Sequence, residues 1–231
     1  MMRSRVMVCM LVASATGFRA PLPQSRRTSS VFAGARMTLG KADPPPPTLS
    51  APVFSLATIN DDGSTNMNIL TYAVPVGIRP SRKWIISLYQ GTLSHENFAK
   101  RRKGVLQLLR RRHMPLVDIL GKQSGRTGDV DKMKQCAEAG FEWSHLLETS
   151  EKREMFEKHS LLLPYCAAYY TLSFPLDQEY QAAGEHDAVM CDLRNVYIEP
   201  GGKAIEAERE GDEEQDVVMY TAWLRAEGVV A

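Results

Sequence analysis

Several features that assign a function at sight are missing from this chain of 231 residues. Its four cysteines, Cys9, Cys136, Cys166 and Cys191, show none of the paired spacings of a zinc or redox site. Cys9 falls in a segment read below as removed. The other three, odd in number and far apart, cannot make a disulfide scaffold; they read as buried or neutral thiols in a reducing compartment. No two of the five histidines stand at metal-ligand spacing. Neither sign of charge dominates, since 28 Lys and Arg meet 27 Asp and Glu for a net charge of +1. A near-neutral molecule has no overall field to attract nucleic acid or an acidic membrane, so function must lie in a local site. The chain also lacks internal repeats and any Gly-rich dinucleotide fingerprint.

With 44% hydrophobic and 24% charged residues, the chain reads as one globular domain preceded by a tail. Runs rich in β-branched, aromatic and aliphatic residues, bounded by Gly, Pro, Asn and Asp, predict strands over 53–59, 67–74, 84–89, 105–109, 166–174, 188–198 and 217–224. Asp62-Gly63 between two such runs is a tight-hairpin sequence. Helical patterns fit 94–103, 115–120, 129–138 and 150–157, and the acidic stretch 206–216 reads as a loop. The expected fold is mainly β, a barrel with peripheral helices. Lys100-Arg101-Arg102-Lys103 falls in the last turn of a predicted helix, where the helix dipole favours cations. That group and Arg110-Arg111-Arg112 therefore read as solvated ends. A nucleic-acid surface would instead use them as a basic patch and bind with strong salt dependence.

The tail reads as an address. Residues 1–17 set Arg3 and Arg5 before the apolar run Val6-Met7-Val8-Cys9-Met10-Leu11-Val12-Ala13 and close on small residues, the layout of a secretory signal that is too short to span a bilayer. Residues 18–47 begin Phe18-Arg19-Ala20-Pro21, carry Arg26, Arg27 and Arg36 with hydroxyl residues, reach their first acid at Asp43 and end in Pro44-Pro45-Pro46-Pro47. A signal followed by a basic, acid-poor transit segment resembles the bipartite plastid presequence of algae with complex plastids. The expectation is plastid delivery, with a mature domain over 48–231 that has no membrane attachment after processing.

Chemistry concentrates between Asn66 and Asn97. The small and polar segment Asn68-Ile69-Leu70-Thr71-Tyr72-Ala73-Val74-Pro75 precedes an apolar strand that ends in Ser87-Leu88-Tyr89-Gln90-Gly91-Thr92 and turns into a helix near Ser94. A strand that turns at once into a helix aims free N–H groups, a hydroxyl and an amide at one place, which suits an anion. The same residues also make an ordinary capped helix.

The region 52–230 resembles the flavin reductase-like family, whose fold is an FMN-binding split β-barrel. Four segments carry the resemblance in the family's order. These are Ile59-Asn60-Asp61-Asp62-Gly63 leading into 68–75; Gln90-Gly91-Thr92 to Asn97; Leu120-Gly121-Lys122-Gln123-Ser124-Gly125-Arg126 followed by Val130-Asp131-Lys132; and Gly184-Glu185-His186-Asp187. The resemblance implies that Asn68, Leu70, Thr71, Tyr72 and Ala73 line the flavin ring and ribityl chain, and that Ser87, Tyr89, Gln90, Thr92 and Asn97 hold the phosphate side. Ser124 would cap the following helix near the flavin edge, Lys132 would face the cofactor phosphate or a second nucleotide, and His186 would stand where nicotinamide or substrate stacks. Glu185 replaces the aspartate of the family's Gly-Asp-His motif. Neutral donors at the phosphate leave FMN and FAD both open. The resemblance further implies a homodimer with NAD(P)H as co-substrate, catalysing flavin reduction or flavin-mediated oxidoreduction. A non-catalytic FMN carrier, sensor or assembly factor would use the same residues. The closing run Tyr220-Thr221-Ala222-Trp223-Leu224-Arg225 is expected as a final strand.

Overall fold

β-Branched and aliphatic residues separated by tight turns build one antiparallel sheet in the computed structural model, which describes residues 50–126, 131–146, 160–198 and 217–229. Among them lie eight strands: β1 (Phe54–Ile59), β2 (Thr65–Leu70), β3 (Ala73–Gly77), β4 (Lys83–Tyr89), β5 (Lys103–Leu108), β6 (Ala168–Ser173), β7 (Gln181–Ala183) and β8 (His186–Tyr197). The sheet order is β2-β1-β5-β6-β8-β4-β3, with the short β7 paired to β8. Four α-helices accompany it among the described residues: α1 (Leu93–Arg101), α2 (Leu116–Gly121), α3 (Lys132–Glu138) and α4 (Thr221–Ala226). The result is a mainly antiparallel sheet curled into a half-barrel with few helices.

The curl follows from burial on both faces. Every residue of β1 and β6 is buried, whereas a sheet with one wet face would alternate buried and exposed positions. One set of alternating residues, Phe54, Leu56, Trp84, Ile86, Leu88, Leu106, Leu108, Tyr170, Leu172, Val189 and Cys191, packs with Phe98 of α1 as the barrel interior. The opposite set, including Val53, Ala57, Met67, Val105 and Tyr169, packs under Leu116, Val117 and Leu120 of α2, Cys136 of α3, Trp143, Leu162 and Leu163, and Leu224 of α4. Each fully buried large apolar side chain contributes roughly 1.5–3 kcal/mol, so both layers are needed to hold the sheet. The three described cysteines are all buried thiols, and burial pushes the Cys191 thiol up to about 12.

The β1/β2 hairpin turns at Asp62-Gly63, with Gly63 at φ 86° and the Asp62 carboxylate accepting from the Ser64 N–H and hydroxyl at 2.9 and 2.6 Å. Two expectations need correction. The run 67–74 is not one strand: it breaks at Thr71-Tyr72, and the chain passes from one edge of the sheet, β2, to the other, β3. Consecutive strands that do not pair are what split the barrel. The run 217–224 is also not a closing strand. It stays extended only to Tyr220, bridging Arg110 through Val218 and Pro52 through Tyr220, and then becomes α4. Here Ala222, Leu224 and Arg225 are good helix formers, and the turn lays Leu224 on the outer core. The predicted helix over 150–157, the acidic loop and the whole tail lie outside the described residues.

Candidate functional site

A cleft of about 380 Å³ opens at the split. One wall is β2 and the Thr71-Tyr72 link, a second is the end of β4 with the turn into α1, and a third is the segment from the end of α2 to Gly125. Nine residues singled out in the sequence meet here: Asn68, Leu70, Thr71, Tyr72, Ser87, Tyr89, Thr92, Ser124 and His186. Asn66, Ile69, Gly91, Leu93, Ser94, Gln123, Gly125 and Lys132 complete most of the lining. The link is fixed by the Ser87 N–H, which donates to the Tyr72 carbonyl at 2.9 Å.

Ala73, Gln90 and Asn97 do not line the cleft. Asn97 is 6% exposed and donates from Nδ2 to Asn60 Oδ1 at 2.7 Å and Thr58 Oγ1 at 3.2 Å, which fastens α1 to the first hairpin. Gln90 donates to Asp187 Oδ1 at 2.9 Å. The other Asp187 oxygen faces His95 Nε2 at 2.8 Å, so this carboxylate ties the turn before α1, and α1 itself, to β8. The Gln90 amide, and after it His95, hold the Asp187 carboxyl below the usual carboxylate range. Thr92 is the N-cap of α1: its hydroxyl accepts from the His95 N–H at 3.2 Å and donates to the Tyr89 carbonyl at 2.8 Å. Ser124 does not cap α3. Its hydroxyl accepts from the Arg126 N–H within a turn, and Asp131 caps the helix by accepting from the Lys134 N–H at 2.9 Å.

Two residues bound the site at opposite ends. At the rim His186 lies between Tyr72 and Tyr89, each ring centroid 5.4 Å from its own and both edge-on. Among the described residues its imidazole makes no hydrogen bond. At the far side Gly125 passes so close to β2 that a Cβ there would lie 2.6 Å from Asn66 Oδ1, and the neighbouring Arg126 pairs with Glu96 of α1. Asn66 in turn donates to Ser94 Oγ at 2.8 Å. The sequence marked Gly125 and Ser94, but strand alternation alone does not reveal that they converge on Asn66.

The interior is polar and incompletely satisfied. Asn68 Oδ1 and Gln123 Oε1 are both buried without a hydrogen-bond partner among the described residues. Buried acceptors left open cost about 1–3 kcal/mol each, a cost that a ligand with N–H or O–H donors removes.

No family model matches the sequence, and no curated protein matches it either. Solved structures do match. An FMN-binding protein from Thermus thermophilus with bound p-hydroxybenzaldehyde is 20% identical with a TM-score of 0.52, over 71% of this chain and 83% of that one. An NADH:FAD oxidoreductase from Streptomyces globisporus is 10% identical with a TM-score of 0.51, over 67% and 80%. A protein from Shewanella frigidimarina described as a candidate flavin reductase with a split barrel domain is 12% identical with a TM-score of 0.51, over 65% and 68%. At such identities the likeness is one of fold, and the fold of this chain is the split β-barrel that these flavin-linked proteins share.

Proposed function

We propose that the protein binds FMN in the cleft at the split and works as an NAD(P)H-dependent flavin oxidoreductase. The observation that carries the reading is the meeting of the nine residues at one cleft whose buried Asn68 and Gln123 oxygens have no partner among the described residues. Its volume falls in the usual range for small-molecule sites, about 300–1,000 Å³. The likeness in fold to an FMN-binding protein and an NADH:FAD oxidoreductase supports it.

The bound cofactor would supply the two-electron chemistry; the protein supplies position and electrostatics. Asn68 and Gln123 offer acceptors to ring N–H groups, and Leu70 and Ile69 give the slot apolar walls. Gly91 and the first turn of α1, at its positive end, receive the phosphate. Because the Thr92 hydroxyl and N–H and the Gln90 amide are already engaged, the backbone N–H groups of Gly91, Leu93 and Ser94 carry that contact. His186, held edge-on between two tyrosines at the open rim, orients a nicotinamide or substrate carbonyl and is the group placed to hold or release a proton there. The described sheet is antiparallel throughout and has no βαβ unit for a separate nicotinamide domain, so the nicotinamide stacks at the same cleft.

The homodimer part of the proposal is supported by the outer sheet face, where Val74, Ile85 and Met190 share one row across β3, β4 and β8 and Tyr72, Val76 and Ile78 are exposed beside it. Light scattering that reads one chain per particle would remove that part of the proposal. Residues 1–47 serve as the plastid presequence, and a fusion of that segment to a fluorescent protein reports its destination.

The deciding experiment compares wild type with His186→Ala. Wild type should copurify with or take up FMN, and its flavin absorbance should bleach on adding NADPH or NADH without oxygen. His186→Ala should keep the flavin and lose most of the rate, by about 10²–10⁴-fold. A wild-type protein with bound flavin that no nicotinamide reduces is a carrier or sensor; one that takes up no flavin ends the proposal.

A further inference from the structure

Lys132 is the first residue of α3, yet its side chain leaves the helix and ends inside the wall of the cleft. The residue is only 7% exposed. Its ammonium donates to the Met67 carbonyl of β2 at 3.1 Å and to the Leu120 carbonyl of α2 at 3.2 Å. An ammonium has three donors, and among the described residues the third finds no acceptor and no carboxylate pairs with the charge. Burial lowers the proton affinity of this amine, the sign of a cation that lacks its counter-charge.

A buried, unpaired cation is a costly way to satisfy two carbonyl groups that a neutral amide could serve. The charge becomes useful once the cleft holds an anion. Oxidised FMN has a neutral ring. When a dihydronicotinamide gives it two electrons and one proton, the nicotinamide leaves with a positive charge and the ring keeps a negative one, shared between N1 and the C2 carbonyl. A site with a fixed cation near the ring holds the second state more tightly than the first, and shifts the redox equilibrium by that difference in affinity. Among the residues lining the cleft, Lys122 and Lys132 are the cations, and Lys122 is exposed and paired with Asp118 at 2.8 Å.

Resting on the flavin reading above, we propose that Lys132 makes this cleft bind reduced, anionic FMN in preference to oxidised FMN. Lys132 is thereby a residue that sets the potential of the bound cofactor, acting from the wall of the cleft while His186 acts at the rim.

The test measures dissociation constants of the full-length protein for oxidised FMN in air and for dithionite-reduced FMN without oxygen. Wild type should bind the reduced form more tightly. Lys132→Met and Lys132→Gln should weaken reduced FMN by about tenfold while leaving oxidised FMN nearly unchanged, equivalent to a fall of about 30 mV in the potential of bound flavin. Lys132→Arg should restore the preference. Lys132→Gln keeps a donor for the two carbonyls and so preserves the link between α2 and β2. Equal affinity of wild type for both forms, or equal losses for both forms in the variants, would leave Lys132 a strut or a phosphate contact and overturn the inference while the flavin reading stands. A wild type that binds neither form takes both down.

Discussion

Around His113 the fold answers every polar atom of the ring from within. Its Nδ1 accepts from the Arg110 N–H at 3.1 Å, its Nε2 donates to the Pro164 carbonyl at 2.9 Å, and the ring lies tilted on Phe141 at 4.9 Å with no exposed surface. Among the described residues the His186 ring makes no hydrogen bond; it lies between two tyrosines, in a cleft that also holds two buried oxygens without partners. Both histidines belong to one sheet-and-helix framework, so the contrast is not one of rigid and loose regions. It separates polar groups spent on holding the structure from polar groups held in reserve for something that binds. Changes in the first region should alter stability and spare binding, and changes in the second should do the reverse.

The largest expected effect lies in the sealed interior. Phe98 is fully buried, stacks on Phe174 and presses on Gly104, so Phe98→Ala should cost about 4 kcal/mol in urea or guanidinium unfolding. The folded fraction should still bind FMN with wild-type affinity; a loss of binding at low denaturant would break the contrast. Next comes acid. Burial lowers the His113 pKa from 6.5 to about 4, so the ring is neutral in the fold while the unfolded chain takes up a proton below 6.5. Stability from this group is therefore intact above pH 6.5 and falls as pH drops toward 4, by about 3 kcal/mol at about 1.4 kcal/mol per pH unit. Denaturation curves at pH 7 and 4.5 should show the fall in wild type, and a His113→Gln variant, weaker at pH 7, should show less of it. The smallest change in stability belongs to Asn68→Ala. Deleting a buried oxygen that has no partner should leave stability within about 0.5 kcal/mol or raise it slightly, while FMN affinity drops about tenfold. Destabilisation by more than about 1 kcal/mol would mean that Asn68 serves the fold and not the ligand.

Strands in this chain could be read directly because their apolar runs are bounded by residues that cannot continue them, and the α1 start could be read because Thr92 is a strong N-cap. The break at Thr71-Tyr72 could not: Leu70, Tyr72 and Val74 keep the apolar rhythm of a strand, and only the closure of the sheet elsewhere decides that β2 and β3 become separate edges. Thr221 to Arg225 failed as a strand prediction for a similar reason, since Trp223 and Leu224 suit either structure and the outer core selects the helix. At the site, the residue types were legible and their assignments were not. Gln90 looks like a donor for a ligand until Asp187, 97 positions away, claims it. Asn97 likewise looks outward until Thr58 and Asn60 fold beneath it. Lys132 looks like a partner for a phosphate, because nothing local announces that an amine on the first turn of a helix will finish buried against two carbonyls.

The split has one further consequence, for how the sheet avoids edge-to-edge stacking. Leaving β2 and β3 unjoined exposes two sheet edges, and an open edge is a template on which strands of other chains can stack into aggregates. Both edges here carry a block. On β3, Pro75 has no N–H to offer and the pairing with β4 slips between Pro75 and Gly77, so the strand cannot present an unbroken ladder. On β2, Lys132 occupies the Met67 carbonyl with a charge that an incoming strand would have to displace. The barrel can therefore remain open where a ligand needs access without becoming the first layer of a fibril.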